Sequence, residues 1–177
     1  MQKAQLTLAL LLSFCLLLMQ SSCSSKRENK TLAFSNDFEN DFGWHDSPLL
    51  TKGEAHSGQY YNTVPGNGYS TTFKKNFSDF ELAPFQKIKL STWVRFPVLD
   101  SRATLVVSID STEGKTPFFW QSIAVEDFIE AKDSWFKVEG EIDLPKNIKP
   151  NYTLLVYIMN TCKKSIWVDD LSFELIK

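Results

Sequence analysis

The stretch from Ile88 to Phe96 reads IKLSTWVRF and decides the fold class, because its apolar residues recur at nearly every second position. Successive side chains of a β-strand point to opposite faces. One face of this strand would carry Ile88, Leu90, Val94 and Phe96. The other face would carry Lys89, Ser91, Trp93 and Arg95. An apolar face backed by a mainly polar one predicts a half-buried strand that borders a core.

The same alternation recurs further along the chain. It places three aliphatic residues on one face in each of two later runs: Leu105, Val107 and Ile109, then Leu154, Val156 and Ile158. Six more runs have the composition of strands: 31–38, 59–63, 69–75, 119–125, 136–144 and 165–175. Short strands separated by turn residues, with no long helix apart from a turn at 125–131, predict an all-β fold, an antiparallel two-sheet β-sandwich.

The N-terminal segment, residues 1–22, predicts an export signal. A basic start precedes an apolar run at 6–19, which is shorter than the roughly 20 residues needed to span a bilayer. Small residues then lead to Cys23, an arrangement that resembles the lipobox of bacterial lipoproteins. This resemblance implies that Cys23 is lipidated. Gln20 departs from the pattern, so secretion without lipid is the alternative.

The rest of the chain predicts a tether and one domain. Residues 23–31 are polar and charged after the cysteine, and the sandwich occupies residues 32–177. The net charge is −2, which predicts no nucleic-acid partner and leaves membrane contact to the lipid anchor alone. Ser24 after the cysteine favours the outer membrane of the bacterial envelope. Cys162 stands alone in the domain, so we expect no internal disulfide there.

Several short motifs follow one another in a fixed order through the predicted domain. They are Asn36-Asp37-Phe38-Glu39, Trp44, Ala55-His56-Ser57-Gly58, Leu90 to Arg95, Val156 to Asn160 and Val168-Asp169-Asp170-Leu171. In this order they resemble the galactose-binding-like jelly roll, and within it the cenC-type carbohydrate-binding modules. The resemblance extends over residues 32–177. It implies a jelly-roll sandwich that binds carbohydrate without catalysis.

The resemblance also implies one structural calcium ion between the N-terminal strand and the last strand. Glu39 and Asp169 occupy the matching positions, and Asp37 and Asp170 are additional candidates. Calcium takes 6 to 8 oxygen ligands, so backbone carbonyls near residues 56–58 would complete the set. The alternative is that Asp169 interrupts an apolar strand at its solvent edge and that Glu39 is an ordinary turn carboxylate.

Five side chains are predicted to bind sugar: Trp93, Arg95, Asp110, Trp120 and Tyr157. Sugars present apolar C–H faces to aromatic rings and hydroxyl groups to polar partners, so a site needs both. Alternation places these side chains away from the core, and we expect them to form one concave strip. The alternatives are that the aromatic rings pack structurally and that Arg95 and Asp110 form a surface ion pair.

Other aromatic residues have weaker assignments. Trp44 and Tyr69 lie beside turns and are placed at the rim of the strip, whereas Trp135 and Trp167 are predicted to be packing residues.

A catalytic strand is the remaining possibility that the sequence raises. Glu139-Gly140-Glu141-Ile142-Asp143 resembles a strand on which alternate carboxylates serve glycoside hydrolysis. The third carboxylate of that pattern would fall at position 146, which is Lys146. We therefore predict no enzymatic activity. The predicted function is carbohydrate binding by an envelope lipoprotein, and the alternative is a structural or partner-binding lipoprotein that contacts envelope proteins and has no sugar affinity.

Overall fold

The computed structural model describes residues 31–40, 44, 50–80, 84–112 and 114–177. The predicted export signal, Cys23 and nearly all of the tether lie outside these residues. Within the described part of the chain there are ten strands: β1 Thr31–Asn36, β2 Leu50–Lys52, β3 Tyr60–Val64, β4 Phe73–Asn76, β5 Lys87–Arg95, β6 Ala103–Asp110, β7 Phe119–Ala124, β8 Trp135–Asp143, β9 Thr153–Asn160 and β10 Ile166–Ile176. Two short 3₁₀ turns are also present, Phe77–Asp79 and Glu126–Phe128.

The strands form two sheets in which all neighbours are antiparallel. The six-stranded sheet has the order β2-β3-β10-β5-β8, with β1 also pairing with β10. The four-stranded sheet has the order β4-β9-β6-β7. This arrangement confirms the predicted all-β, antiparallel two-sheet β-sandwich.

The hydrophobic core lies between the sheets and is built from the aliphatic faces that alternation identified. Its fully buried members include Ile88, Val94, Leu105, Val107, Ile109, Leu154, Val156 and Ile158. Burying one such side chain contributes about 1.5–3 kcal/mol, before the entropy cost of folding is subtracted. The alternating pattern of β5 and β9 therefore follows directly from burial on one side only.

Local details differ from the prediction where the alternating signal is weak. Strand β2 has only three residues, too few to display a period of two. The predicted strand at 69–75 begins later, at Phe73, and Tyr69 makes only an isolated bridge to Met159. Regular strand pairing is absent just before Phe73, where Thr71 bonds the side chain of Asn62 instead. The backbone N–H of Thr71 donates to Oδ1 of Asn62 at 3.1 Å, and Nδ2 of Asn62 donates to the Thr71 hydroxyl at 3.0 Å. The turn predicted at 125–131 contains the 3₁₀ turn Glu126–Phe128.

Within the described residues, no helix has the length and apolar character needed to cross a membrane.

Candidate functional site

Three aromatic side chains lie on the outer face of the four-stranded sheet. Ser108 pairs with Trp120 across β6 and β7, and Val106 pairs with Tyr157 across β6 and β9. Tyr69 joins the same face through its bridge to Met159. The rings of Tyr69, Tyr157 and Trp120 therefore follow a diagonal across the sheet. We call this surface, together with Ser108 and Asp110, the aromatic face.

The aromatic face has exposed aromatic side chains around a floor of buried residues. Tyr69 is 57% exposed and Trp120 is 42% exposed, whereas Val106 and Ser108 between them are 0% and 3% exposed. Exposed aromatic rings beside buried neighbours offer a ligand surfaces on which to stack. The apolar run Leu105-Val106-Val107 is the sequence signal for this floor, because consecutive apolar residues show that β6 is covered on both faces.

Contacts within the aromatic face hold its side chains together. The Tyr69 and Tyr157 rings meet edge to face, with their centroids 5.6 Å apart. Burial raises the pKa of the Tyr157 hydroxyl, and a hydrogen bond with Trp120 acts in the opposite direction. The Ser108 hydroxyl lies 3.0 Å from Oδ1 of Asp110, to which it donates a hydrogen bond. The structure thus brings three of the predicted sugar-binding residues together: Asp110, Trp120 and Tyr157.

A buried amide helps to fix the turn that precedes Tyr69. Asn160 is 1% exposed, and its Nδ2 donates to the carbonyls of Val64, Pro65 and Lys164 at 3.3, 3.0 and 2.8 Å. Its backbone N–H donates to the carbonyl of Gly68 at 2.9 Å. The sequence analysis placed Tyr69 only at a rim and gave Asn160 no role, since neither contact follows from local periodicity.

Trp93 and Arg95 lie on a different surface from the other three predicted residues. They belong to β5 of the six-stranded sheet, whereas Asp110 ends β6 in the four-stranded sheet. The outer faces of the two sheets point in opposite directions, so the prediction of one strip with all five residues is wrong. Alternation shows which side of a strand faces the core, but it does not show to which sheet the strand belongs.

The alternative considered for Arg95 and Asp110, a surface ion pair, is also wrong for the same reason. Nη1 of Arg95 instead lies 3.3 Å from Oε2 of Glu54, which is largely exposed. The Arg95 guanidinium also lies over the Trp167 ring, 5.1 Å from its centroid.

A loop at residues 53–59, which we call the covering loop, packs on this part of the six-stranded sheet. The imidazole of His56 stacks on Trp93 at a centroid distance of 3.8 Å and an interplanar angle of 14°. Nε1 of Trp135 donates to the carbonyl of Glu54 at 3.2 Å. One face of Trp93 is therefore occupied by the protein itself, which leaves less of its ring for a ligand than is free on Trp120.

The covering loop is held by the two carboxylates that the sequence analysis assigned to calcium. Oδ2 of Asp169 accepts hydrogen bonds from the backbone N–H groups of His56 and Ser57 at 2.8 and 3.1 Å. Oε1 of Glu39 accepts from the backbone N–H groups of Gln59 and Tyr60, both at 2.7 Å. Glu39 and Asp169, which are far apart in the sequence, thus bind the same loop. The backbone N–H groups of this loop point toward Oε1 of Glu39 and Oδ2 of Asp169.

Asp37 and Asp170, the additional candidate ligands, already have partners. Oδ1 of Asp37 accepts from the backbone N–H of Glu39 at 3.1 Å. The Asp170 carboxylate contacts Nδ1 of His56 at 2.6 Å and accepts from the Ser57 hydroxyl at 2.7 Å.

Asp169 is the most deeply buried of the predicted calcium ligands. Asp169 is 0% exposed, and burial raises the pKa of its carboxyl to about 6, with a further upward contribution from neighbouring Asp170. None of the ion pairs among the described residues includes Asp169. The described residues also contain no group of three or more His, Cys, Asp or Glu side chains placed to hold a metal ion. A hard cation here would therefore be held by Glu39 and Asp169 together with backbone or solvent oxygens.

Gly58 has a backbone conformation that the covering loop requires. Its φ is +60°, and a Cβ at this position would lie 2.4 Å from Cδ of Glu39.

We expect Gly58→Ala to lower the free energy of unfolding by about 1–3 kcal/mol, because it combines positive-φ strain with displacement of Glu39. Thermal unfolding measures this loss. Gly53→Ala in the same loop has no positive φ and is the control; equal unfolding temperatures for the two variants would contradict the prediction.

Comparison with known proteins identifies relatives of the fold. No protein-family profile and no curated protein matches this sequence. The CBM22-1 xylan-binding domain of Paenibacillus barcinonensis Xyn10C is 17% identical, with a TM-score of 0.57 over 84% of this chain and 96% of that domain. The C-terminal family 22 carbohydrate-binding module of Clostridium thermocellum Xyn10B is 15% identical, with a TM-score of 0.59 over 80% of this chain and 91% of that module. At these identities the likeness establishes the fold alone, a jelly-roll β-sandwich.

Proposed function

We propose that this protein binds carbohydrate without catalysis and that the aromatic face is its binding surface. The observation that carries the proposal is the exposure of Tyr69 and Trp120 beside Tyr157, around a buried floor with polar groups at Ser108 and Asp110. Aromatic rings stack against the C–H faces of sugars, and a carboxylate accepts hydrogen bonds from sugar hydroxyls. Ligand sites typically combine aromatic side chains with a small number of polar groups.

The length of the aromatic face favours a glycan chain over a single sugar. Tyr69 lies three strand positions from β7 and about four residues along the strands from Trp120. With strands about 4.8 Å apart and a rise of about 3.3 Å per residue, the two Cα atoms are on the order of 20 Å apart. A ligand that contacts both rings must therefore contain several sugar units.

The test is a binding screen against soluble polysaccharides and oligosaccharides of increasing length. Xylan belongs in the screen because the similar CBM22-1 domain of Xyn10C is a xylan-binding domain. We expect affinity to rise with oligosaccharide length until both ends of the aromatic face are filled. Absence of binding to every glycan by folded protein would contradict the proposal and favour the alternative, a partner-binding protein that uses the half-buried Leu155 and Met159 on the same face.

The carboxylates of β8 support binding rather than hydrolysis. Oε2 of Glu141 lies 2.6 Å from Nζ of Lys87, and Oε1 lies 3.1 Å from Nζ of Lys89. Hydrogen bonds from these two lysines hold the pKa of Glu141 below its usual range. A general acid for glycoside cleavage needs the opposite shift. Glycan hydrolysis that is lost in Glu141→Gln would overturn this part of the proposal.

We also propose that calcium binds beside Glu39 and Asp169, where it would neutralise a buried carboxylate and secure the covering loop rather than take part in chemistry. Calcium at about 100 times its dissociation constant would stabilise the fold by about 2.7 kcal/mol. For a protein of this size the unfolding temperature would rise by about 5–10 °C. Calorimetry with calcium and with chelator measures the effect, and Glu39→Gln should abolish it. Equal unfolding temperatures of the unsubstituted protein in both buffers would contradict the calcium site.

The cellular setting remains the one predicted from the sequence. We propose a cenC-like module that is lipidated at Cys23 and held at the bacterial envelope, on the outer membrane. There it would retain polysaccharide near separate enzymes or transporters. Mass spectrometry of the mature N-terminus tests lipidation directly.

A further inference from the structure

One end of the sandwich lies where the chain enters the described domain. Thr31, the first residue of β1, pairs with Ile176 near the C-terminus. The Ile176 carbonyl accepts from the backbone N–H of Gln86, and the Gln86 carbonyl accepts from Leu144, both at 2.8 Å. The entry point therefore lies three strand spacings, or about 14 Å, from the end of β8. We call this region the tether end.

The tether end carries a small apolar pocket. Its volume is about 80 Å³, and it is lined by Phe77, Pro84, Phe85, Pro145, Lys146, Ile148, Lys149 and Pro150. Pro84 and Pro150 are exposed, and Ile148 is half-buried. Prolines present apolar rings without a backbone N–H, so this surface has few hydrogen-bond donors apart from the lysine side chains.

Three lysines lie in or near the pocket. Lys146, Lys149 and Lys177 are exposed, and none of them takes part in an ion pair among the described residues. Lys87 is different, because its Nζ forms an ion pair with Oε2 of Glu141 at 2.6 Å. The nearest exposed acidic side chain of β8 is Asp143, which is 4.0 Å from Lys87. Lys146 and Lys149 line the pocket, and Lys177 shares a neighbouring surface depression with Lys146, so the described part of this surface carries three lysines without an ion-pair partner.

The chain outside the described domain limits how far this end can be from a lipid anchor. Residues 24–30 read SSKRENK, and seven residues span at most about 25 Å. This segment contributes three further basic residues and one acidic residue. An acyl group on Cys23 would therefore keep the lysines of the tether end within reach of the bilayer surface.

We propose that the tether end is a membrane-contacting surface that binds the headgroups of anionic phospholipids. Lys146, Lys149 and Lys177 attract the phosphates, while the proline-lined pocket rests at the headgroup layer. The proposal rests on the lipid anchor at Cys23 and is independent of sugar binding. Each lysine near an anionic surface strengthens the contact about fivefold.

The experiment uses the mature, full-length lipoprotein in vesicles of phosphatidylcholine alone or with 30% phosphatidylglycerol. An environment-sensitive dye on Pro150→Cys, in a Cys162→Ser background, reports contact with lipid. We expect a blue-shifted emission that is quenched by spin-labelled lipid in the anionic vesicles, and loss of both signals in 0.5 M salt. Lys146→Glu with Lys149→Glu should weaken the contact at least 25-fold. Lys163→Glu with Lys164→Glu, an equal charge change in the turn between β9 and β10, is the matched control.

Equal dye signals in neutral and anionic vesicles, or equal effects of the two double variants, would overturn the proposal. Mass spectrometry of the same preparation shows whether Cys23 carries lipid. This distinguishes a protein without its anchor from an anchored protein whose surface does not bind the headgroups. If Cys23 carries no lipid, co-sedimentation of the chain with the same anionic vesicles tests the surface directly. Binding that the Lys146 and Lys149 substitutions remove would then support the surface, and absence of binding would overturn it. Glycan binding should be unchanged in both double variants.

Discussion

Replacing Trp120 with alanine should weaken glycan binding at least about 30-fold and leave the fold intact. Trp120 is 42% exposed, so truncation removes little core packing. Truncation of a central aromatic contact typically costs 2 kcal/mol or more, which corresponds to about 30-fold in affinity. Isothermal titration calorimetry with the best glycan from the screen measures the loss, and thermal unfolding confirms that the variant is folded.

Trp93→Ala is the matched comparison, because it removes another indole from the outer face of the opposite sheet. It should unstack His56 and loosen the covering loop, yet change glycan affinity less than about twofold. Wild-type affinity in Trp120→Ala would contradict the aromatic face. Loss of affinity in a folded Trp93→Ala protein would instead place the sugar on the six-stranded sheet.

Replacing Asn160 with alanine should lower the free energy of unfolding by about 3–4 kcal/mol. The substitution leaves the carbonyls of Val64, Pro65 and Lys164 without the amide that joins them, in a position that is 1% exposed. Leaving buried polar groups unpaired costs about 1–3 kcal/mol each, and partial hydration recovers some of that cost. Chemical denaturation measures the change. Because the segment that carries Tyr69 also loosens, glycan affinity should fall as well.

Asn151→Ala is the control for this effect. Its amide bonds only Thr112, at 3.1 Å on the surface, and exposed substitutions usually change stability by less than about 0.5 kcal/mol. Equal stability of the Asn160 and Asn151 variants would show that the buried amide does not fix the turns around it.

The fold was predictable because burial on one side of a strand imposes a period of two on the sequence. Strand β5 shows this directly, since Ile88 and Val94 are fully buried while Lys89 on the alternate face is exposed. Strand β9 behaves in the same way, with Ile158 buried and Tyr157 turned outward. Local alternation therefore identified most strands, their inward faces and the fold class.

The candidate site was only partly predictable because sheet membership depends on long-range pairing. Trp93 and Tyr157 have similar local patterns, yet β5 pairs with β10 and β9 pairs with β6, which separates them onto opposite surfaces. The covering loop is equally invisible to periodicity, since its position depends on hydrogen bonds to Asp169, more than a hundred residues away. Local spacing contains no information about such contacts.

The most direct test of carbohydrate binding on the aromatic face is a two-dimensional NMR titration that follows the indole N–H signals. The chain has five tryptophans, and only Trp120 lies on the aromatic face. Upon addition of the best glycan from the screen, the Trp120 signal should shift in proportion to the bound fraction. The signals of the other four, Trp44, Trp93, Trp135 and Trp167, should remain nearly unchanged. Shifts confined to those four tryptophans, or no shift with any glycan, would contradict the account.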